Sequence, residues 1–221
     1  DDELLKTKIG RLQVLGKVRC HEENSKTIRS LLTGEMASVT VIPSGYEMID
    51  RPITLDSVTL GALAQRRLYS SERIAIAVDV TPELLDTEID GLKSEEMIVC
   101  PKALSAVMAG KVDLLAEHVL FYEGQLWVVD GEETLRPERF DYLVGAMTLL
   151  VTGELTIDPA VEPSVLAERL SQIVNFGAIH CTPAQMSAVQ ARTTVDEGAL
   201  IDSTVTESDE YSLGNVGHLA L

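Results

Sequence analysis

The stretch that decides the fold covers residues 170–189, LSQIVNFGAIHCTPAQMSAV. Its apolar positions advance in steps of three, three, three and then two residues, and a proline and a short helical pattern follow. The positions in these steps are Leu170, Ile173, Phe176, Ile179 and Cys181. A chain that repeats this cadence is organised as a stack of similar turns, which indicates an architecture and no particular reaction.

The same cadence recurs along the chain. It covers, with gaps, residues 9–20, 33–43, 68–82, 86–101, 146–159 and 170–183. Prolines follow many of these apolar runs, and proline suits the first position of a helix because its missing N–H would be unpaired there anyway. We therefore expect strand–proline–helix junctions at Pro43, Pro82, Pro101, Pro159 and Pro183.

These steps resemble the leucine-rich repeats, whose pattern is Leu-x-x-Leu-x-x-Leu-x-Leu. The resemblance implies a short parallel strand on one side of each turn and a helix or a looser segment on the other. The asparagine that the family carries two residues past the strand is missing, so another device must satisfy the backbone groups that it would bond. The positions concerned are Glu23, Ala103, Ala160 and Ala184.

A unit of about 22 residues cannot bury its apolar face alone, so neighbouring turns must cover it. We therefore predict an α/β fold: a single-domain repeat solenoid over residues 1–203, with short parallel strands, short helices and irregular turns of roughly 20–24 residues. An acidic C-terminal tail or cap follows at 204–221. Gly145, Gly153 and Gly177 are isolated and fall at turn positions.

Residues 117–133 interrupt the cadence. Two β-rich runs around Glu-Gly-Gln predict a hairpin inserted into the stack. This segment carries Phe121, Tyr122 and Trp127, the chain's only tryptophan. An aromatic hairpin here is either a tip that contacts a partner or a cover for an exposed edge of the stack. These three residues are the predicted partner-binding positions.

The charge of the chain restricts its partners. Lys and Arg number 18 against 35 Asp and Glu, a net charge of −17. Such a surface repels phosphate backbones and anionic lipid headgroups, so nucleic acid and membrane are excluded as expected partners and a basic protein or a cation is favoured. The three cysteines lack the spacing of a disulfide framework or a zinc site, which indicates free thiols in a reducing, cytoplasmic location.

Two Cys-His neighbours could supply soft ligands: Cys20-His21 and His180-Cys181. Adjacent residues of a strand point to opposite faces, so we expect buried cysteines and exposed histidines instead. Three carboxylate pairs lack the spacing of a calcium loop and are expected to be solvated loop residues. These pairs are Glu22-Glu23, Glu95-Glu96 and Glu132-Glu133. The sequence therefore predicts no metal and no cofactor.

The leading functional hypothesis is a non-catalytic protein-binding or scaffold module for a basic protein partner. One alternative is a small α/β enzyme whose site is gathered at strand ends near Cys181, His180 and Asp158. Another is a structural protein that forms homo-oligomers through the ends of the stack or through the hairpin.

Overall fold

The structure is a computed structural model that describes residues 8–33, 37–63, 66–115 and 117–205. It is a mixed α/β protein with many short parallel strands in several sheets, and none of the described sheets closes into a barrel. Contacts divide the chain into two compact units, residues 1–121 and 122–221.

The strands and helices are short and alternate along the chain. The strands up to the division are β1 Gly16–His21, β2 Ala37–Ile42, β3 Tyr46–Ile49, β4 Ile53–Leu55, β5 Arg66–Ser70, β6 Ile74–Ile76, β7 Ile89–Ser94, β8 Ile98–Pro101 and β9 Val119–Tyr122. The later strands are β10 Gln125–Val129, β11 Glu132–Leu135, β12 Met147–Val151, β13 Glu154–Ile157, β14 Leu170–Asn175, β15 Ala178–Cys181, β16 Thr193–Asp196 and β17 Ala199–Asp202. The α-helices of the described residues are α1 Glu22–Leu31, α2 Ser57–Gly61, α3 Pro82–Glu88, α4 Ser105–Lys111, α5 Glu138–Asp141, α6 Pro163–Arg169 and α7 Pro183–Arg192.

Two parallel four-stranded sheets build the second unit. One has the order β10-β12-β14-β16 and the other β11-β13-β15-β17, so the chain alternates between them. In the second sheet Glu132 lies opposite Glu154, and Glu154 lies opposite Ala178, which are spacings of 22 and 24 residues. Parallel neighbours require a crossover connection, and α5, α6 and α7 supply it. A strand, a corner, a second strand and a helical segment follow one another three times, as β10-β11-α5, β12-β13-α6 and β14-β15-α7, and each such segment is called a repeat below.

The apolar residues that are three apart in the sequence lie along a strand with a β-bulge and around the corner that follows it. A register shift between β12 and β14 makes Ser171 an extra residue. Because of this bulge, Leu170 and Ile173 are both buried although they lie three residues apart. Ile179 and Cys181 then alternate inward along β15. The leucine-rich-repeat pattern implied one strand in each turn, whereas each repeat here contributes two.

Glycines let the corners of successive repeats approach closely. A Cβ on Gly153 would lie 2.3 Å from the carbonyl oxygen of Gly131. The corresponding distances are 2.0 Å from Gly177 to the oxygen of Gly153 and 2.1 Å from Gly198 to the oxygen of Gly177. At this spacing the Ala178 N–H donates to the Gly153 oxygen at 2.9 Å. These glycines are therefore required because the stacked backbones leave no space for a side chain.

We expect Gly177→Ala to lower the free energy of unfolding by roughly 1–3 kcal/mol, because the methyl group would force two repeats apart. The matched control is Gly131→Ala at the first corner, where a Cβ would meet nothing within 4 Å. Urea denaturation of the two variants measures the difference. Equal stability of both variants would show that the corner contact does not constrain the fold.

The space between the two sheets and the helices of the second unit holds an aliphatic core. Trp127 and Phe140 are its aromatic members. Burying each large apolar side chain contributes about 1.5–3 kcal/mol, so this core is a large favourable contribution to folding. The fully buried aliphatic residues include Val129, Leu135, Leu149, Val151, Leu155, Ile157, Leu166 and Ile173.

The described residues of the first unit form three sheets, with orders β1-β2, β3-β5-β7 and β4-β6-β8-β9, and the pairs β1-β2, β3-β5, β5-β7, β4-β6 and β6-β8 are parallel. The same bulge recurs between β5 and β7, where the register shifts between Arg66 and Arg67. Gly45 adopts a positive φ of 80° in the short turn from β2 to β3, so the chain passes from one sheet to the next without an intervening helix. The core includes Leu55, Leu60, Ile74, Ile76, Leu85, Ile89, Leu92 and Ile98.

The two strands of the predicted hairpin do not pair with each other. Both of its strands exist, as β9 and β10, but β9 neighbours β8 in one sheet and β10 neighbours β12 in another. Gly124, with a φ of 74°, forms the turn between them, and the backbone at Ala146 lies too close for any larger residue there. The division between the two units falls at residues 121 and 122, inside the predicted hairpin.

Of the five predicted strand–proline–helix junctions, those at Pro82 and Pro183 are found, whereas Pro43 is followed by the turn into β3. Pro82 and Pro183 occupy the first position of α3 and α7, and Pro163 does so in α6. Pro101 ends β8 and precedes a 3-10 turn, whereas Pro159 lies in a loop. Of the predicted C-terminal tail, residues 206–221 lie outside the described residues.

Candidate functional site: a groove beside helices α5 and α6

The predicted aromatic contact tip is buried. Tyr122 is 2% exposed and Trp127 is 7% exposed, and Phe121 packs against the core of the first unit. The guanidinium carbon of Arg139 lies 3.5 Å from the centroid of the Trp127 ring and covers it. Two of the three rings are therefore buried and Phe121 is half-buried, and the contact role of these residues stays a prediction.

The cysteines are buried, as expected, and burial raises the pKa of each thiol. For Cys100 it raises the pKa to about 12. Burial is also the main cause at Cys181, with a smaller contribution from the charge of Asp202, and at Cys20. A thiol whose pKa is raised carries little thiolate at neutral pH and is a poor nucleophile.

The residues of the alternative enzyme site have separate surroundings. The Nε2 atom of His180 lies 2.9 Å from the Oε1 atom of Glu154, on the face of β15 opposite to the buried Cys181. The Asp158 carboxylate accepts the backbone N–H of Ala160 at 2.8 Å. The structure therefore gives each of the three residues a structural partner or a core position of its own.

We expect all three cysteines to alkylate far more slowly in the folded protein than in guanidinium chloride, with Cys100 among the slowest. The reason is the raised pKa of each thiol together with its burial. Iodoacetamide labelling at neutral pH, read by peptide mass spectrometry, measures the rates. A single cysteine that reacts as fast as in the unfolded chain would favour the enzyme alternative.

Of the predicted carboxylate pairs, Glu132-Glu133 is exposed but lies in β11 and not in a loop, whereas Glu22-Glu23 contacts Ser44. Glu23 accepts the Ser44 hydroxyl at 2.6 Å, and Glu22 accepts the Ser44 backbone N–H. Within the described residues there is no group of three or more His, Cys, Asp or Glu side chains that could hold a metal ion.

Glu95 is the centre of an ion network that ties β1 to β5 and β7. Its carboxylate accepts Arg19 Nε at 2.7 Å, the Tyr69 hydroxyl at 2.9 Å and the Lys17 ammonium. The Glu95 side chain is 12% exposed. Burial alone would raise the pKa of this carboxyl, but the hydrogen bonds from Arg19, Lys17 and Tyr69 outweigh it and lower the pKa to about 2.

The folded pKa of Glu95 lies below the unfolded value of 4.5, so its contribution to stability is complete above about pH 4.5 and is lost as the pH falls towards 2. We expect Glu95→Gln to lower the free energy of unfolding at pH 7 by roughly 1–3 kcal/mol, and the deficit to shrink below pH 4. Chemical denaturation at several pH values measures it. Glu96→Gln is the control, and an equal deficit in both variants would contradict the role of the network.

A groove of about 510 Å³ opens on the helical side of the second unit. The volume lies in the range of roughly 300–1,000 Å³ that is common for binding sites. Its floor is apolar and its rim is charged. The lining residues are Pro137, Phe140 and Asp141 beside α5, Ala160, Val161 and Glu162 before α6, and Val165, Glu168 and Arg169 in α6.

The short helix α5 leaves this groove open. It has four residues, compared with seven in α6 and ten in α7, because the chain leaves the helix at Tyr142 and Gly145 has a positive φ of 84°. Leu143 remains packed on the core, while Tyr142 is 88% exposed and Val144 is 84% exposed. An exposed tyrosine and valine thus follow the groove residues directly in the chain, and exposed tyrosines are enriched in protein interfaces.

Helix α7 is joined to the loop before α6 by one side chain, Gln185. The buried side chain of Gln185 donates to the carbonyl oxygens of Asp158 at 2.9 Å and of Val161 at 2.8 Å. Its own oxygen accepts the Thr182 backbone N–H at 3.0 Å. These bonds satisfy backbone groups of the loop beside Ala184.

The groove was not predicted from the sequence. The sequence signal that could have indicated it is the run Asp141-Tyr142-Leu143-Val144. Here the large residues Tyr142 and Val144 flank the partly buried Leu143 without the periodicity of a helix or a strand. The contrast between Val161 and Gln185 becomes visible only once the strand registers align the repeats.

Comparisons of the chain with protein-family models, with curated proteins and with solved structures find no match. Among the described residues, no helix combines the length and the apolar character that crossing a bilayer requires.

Proposed function

We propose that this chain is a non-catalytic protein-binding module, built as a β/α solenoid related in pattern to leucine-rich repeats, that holds a basic segment of a partner protein. The groove beside α5 and α6 is the observation that carries the proposal, because its apolar floor and charged rim suit a peptide segment with mixed character. The buried free thiols are compatible with a reducing, cytoplasmic location, which is part of the same proposal.

The solenoid part of the proposal is supported by register. In the second unit, strands of each sheet pair in parallel with the strand one repeat away, in two series that the chain visits alternately. Each repeat then covers the apolar face of its neighbour, as in repeat proteins. The two units each have a core of their own.

The basic partner is supported by charge. The groove carries the carboxylates of Asp141, Glu162 and Glu168 against the single guanidinium of Arg169. The chain as a whole has a net charge of −17, which speeds the encounter with a cationic partner at low ionic strength.

Selection of a random peptide library on the full chain, followed by calorimetry of the selected peptides, tests the proposal. The blocking variant is Ala160→Trp, which places a bulky ring on an exposed position of the groove. Its matched control is Ala184→Trp, at the same place one repeat later and also exposed. Both alanines lie three residues past the end of their strand, β13 or β15.

We expect the selected peptides to be rich in Lys and Arg and to bind Ala160→Trp at least about tenfold more weakly than the unmodified chain. Ala184→Trp should retain the original affinity. Peptides that bind all three proteins equally would place the interaction elsewhere, and acidic or uncharged selected peptides would contradict the basic partner.

A further inference from the structure

We infer that the outer edge of the last two strands, β16 and β17, is a docking surface whose occupant is the C-terminal segment of the same chain, residues 210–221. The docked segment adds one more strand pair to the two sheets of the second unit. The inference goes beyond the proposed function, because it concerns the end of the sheets and not the groove.

Among the described residues, β17 has a neighbouring strand on one side only. β16 and β17 are the last strands in the orders of their two sheets. The Ala199 N–H donates to the Gly177 oxygen at 2.8 Å, so it points towards β15. Successive N–H groups of a strand point to opposite edges, and those of Leu200 and Asp202 therefore face away from β15. They form the open edge at which a further strand pairs.

The same end of the core is incompletely covered. In the preceding strands of this sheet, Leu155 is 0% exposed and Ile179 is 1% exposed. Leu200 lies opposite Ile179 and packs on the same core, but it is only half-buried. A further strand with an apolar residue opposite Leu200 would remove this surface from water.

The C-terminal segment carries the sequence pattern of the corners. Three corner glycines are followed two residues later by an aliphatic residue of the second sheet, namely Leu155, Ile179 and Leu200. Gly217 and Leu219 repeat this spacing, and Leu213, Val216, Leu219 and Leu221 advance in steps of three, three and two. The glycines are Gly131, Gly153, Gly177, Gly198 and Gly217, at successive distances of 22, 24, 21 and 19 residues.

A series of backbone hydrogen bonds joins the corners. In each case the N–H after one corner glycine donates to the carbonyl oxygen of the preceding corner glycine. The bonds run from Glu154 to Gly131 at 2.8 Å, from Ala178 to Gly153 at 2.9 Å and from Ala199 to Gly177 at 2.8 Å. The next bond of the series would run from His218 to Gly198. A glycine at position 217 then has the same reason as its predecessors, because a Cβ there would meet the Gly198 oxygen.

A side-chain ladder beside the corner points to the same occupant. Asn175 lies two residues before its corner glycine and is 1% exposed, and its amide donates to the Asp196 carboxylate at 3.0 Å. Asp196 lies opposite Asn175, two residues before Gly198, and is exposed. A carboxylate accepts several hydrogen bonds. Asn215 has the same place before Gly217, so its amide can donate to Asp196 from the open side.

The length of the connection favours the same chain over a second copy. Residues 203–210 would form the crossover, compared with residues 182–192 before β16 and 56–65 before β5. Eight extended residues span up to roughly 26 Å, whereas a helix such as α6 advances only about 1.5 Å per residue. A segment tethered this closely has an effective concentration on the order of millimolar, which a free second copy does not reach in dilute solution.

Amide hydrogen exchange of the full chain, read by ¹⁵N–¹H NMR at Leu200 and Asp202, tests the inference. The variant is Gly217→Ala, which places a methyl group at the proposed corner. Its matched control is Gly214→Ala in the same segment. By the same count Gly214 corresponds to Val174 of β14, where a side chain is accommodated.

We expect the Leu200 and Asp202 amides of the unmodified chain to exchange at least about a hundredfold more slowly than in an unstructured peptide, because they donate to the docked segment. Gly217→Ala should accelerate their exchange at least about tenfold, and Gly214→Ala should leave it within about twofold. Unprotected amides in the unmodified chain would overturn the inference. Equal effects of the two variants would also overturn it.

A chain that ends at residue 209 tests the occupant directly. We expect it to lose the protection of Leu200 and Asp202 while the amide of Cys181, one strand further in, keeps its own. Sedimentation velocity of the full chain identifies the source of the segment. Protection that rises with concentration as a dimer forms would make a second copy the occupant and overturn the inference. If the shortened chain fails to fold by circular dichroism, the two glycine variants of the full chain decide.

Discussion

The second unit depends on the close approach of a glycine at each corner to the carbonyl oxygen of the preceding corner, where a Cβ would lie 2.0–2.3 Å from that oxygen. Parallel strands are separated by about 4.8 Å, and a corner that keeps this spacing brings the two backbones together with no space for a Cβ. The distances at Gly153, Gly177 and Gly198 follow from this geometry. Once the corners are in contact, the strands on either side are in register, and the apolar residues of each repeat cover those of the next.

Successive repeats share their backbone hydrogen bonds and differ in their side chains. The position four residues past the strand is Arg139 in one repeat, Val161 in the next and Gln185 in the third. The first covers Trp127, the second lines a groove and the third joins two repeats through buried hydrogen bonds. The side chain at this position thus decides which contact is made there, and two of the three residues, Val161 and Gln185, are buried.

The periodicity of apolar residues was sufficient to predict short parallel strands joined by short helices. The periodicity could not show that each repeat carries two strands. The first step of three residues, from Leu170 to Ile173, spans a β-bulge at Ser171, and the amino-acid composition gives no sign of a bulge. The prediction of a hairpin was wrong for a related reason. Alternating apolar residues identify β9 and β10 as strands but do not specify their partners, which lie in different sheets. Because the strand partners were not known, the sequence did not predict that Tyr122 and Trp127 are buried.

The candidate site could not be predicted, because it is defined by a difference between repeats. Considered alone, Val161 is an ordinary core residue. Only the strand registers show that Val161 occupies the position that Gln185 has one repeat later. The buried cysteines were predicted correctly, since a small apolar side chain that alternates with a polar neighbour on a strand has one favourable face.

The position of the single tryptophan has a consequence for optical studies. Trp127 lies in β10, at the edge of its sheet, with its indole almost fully buried beneath the Arg139 guanidinium. Its emission therefore reports the first repeat of the second unit alone. Loss of structure in β1 or in β17 would leave the spectrum unaffected for as long as that repeat keeps its packing.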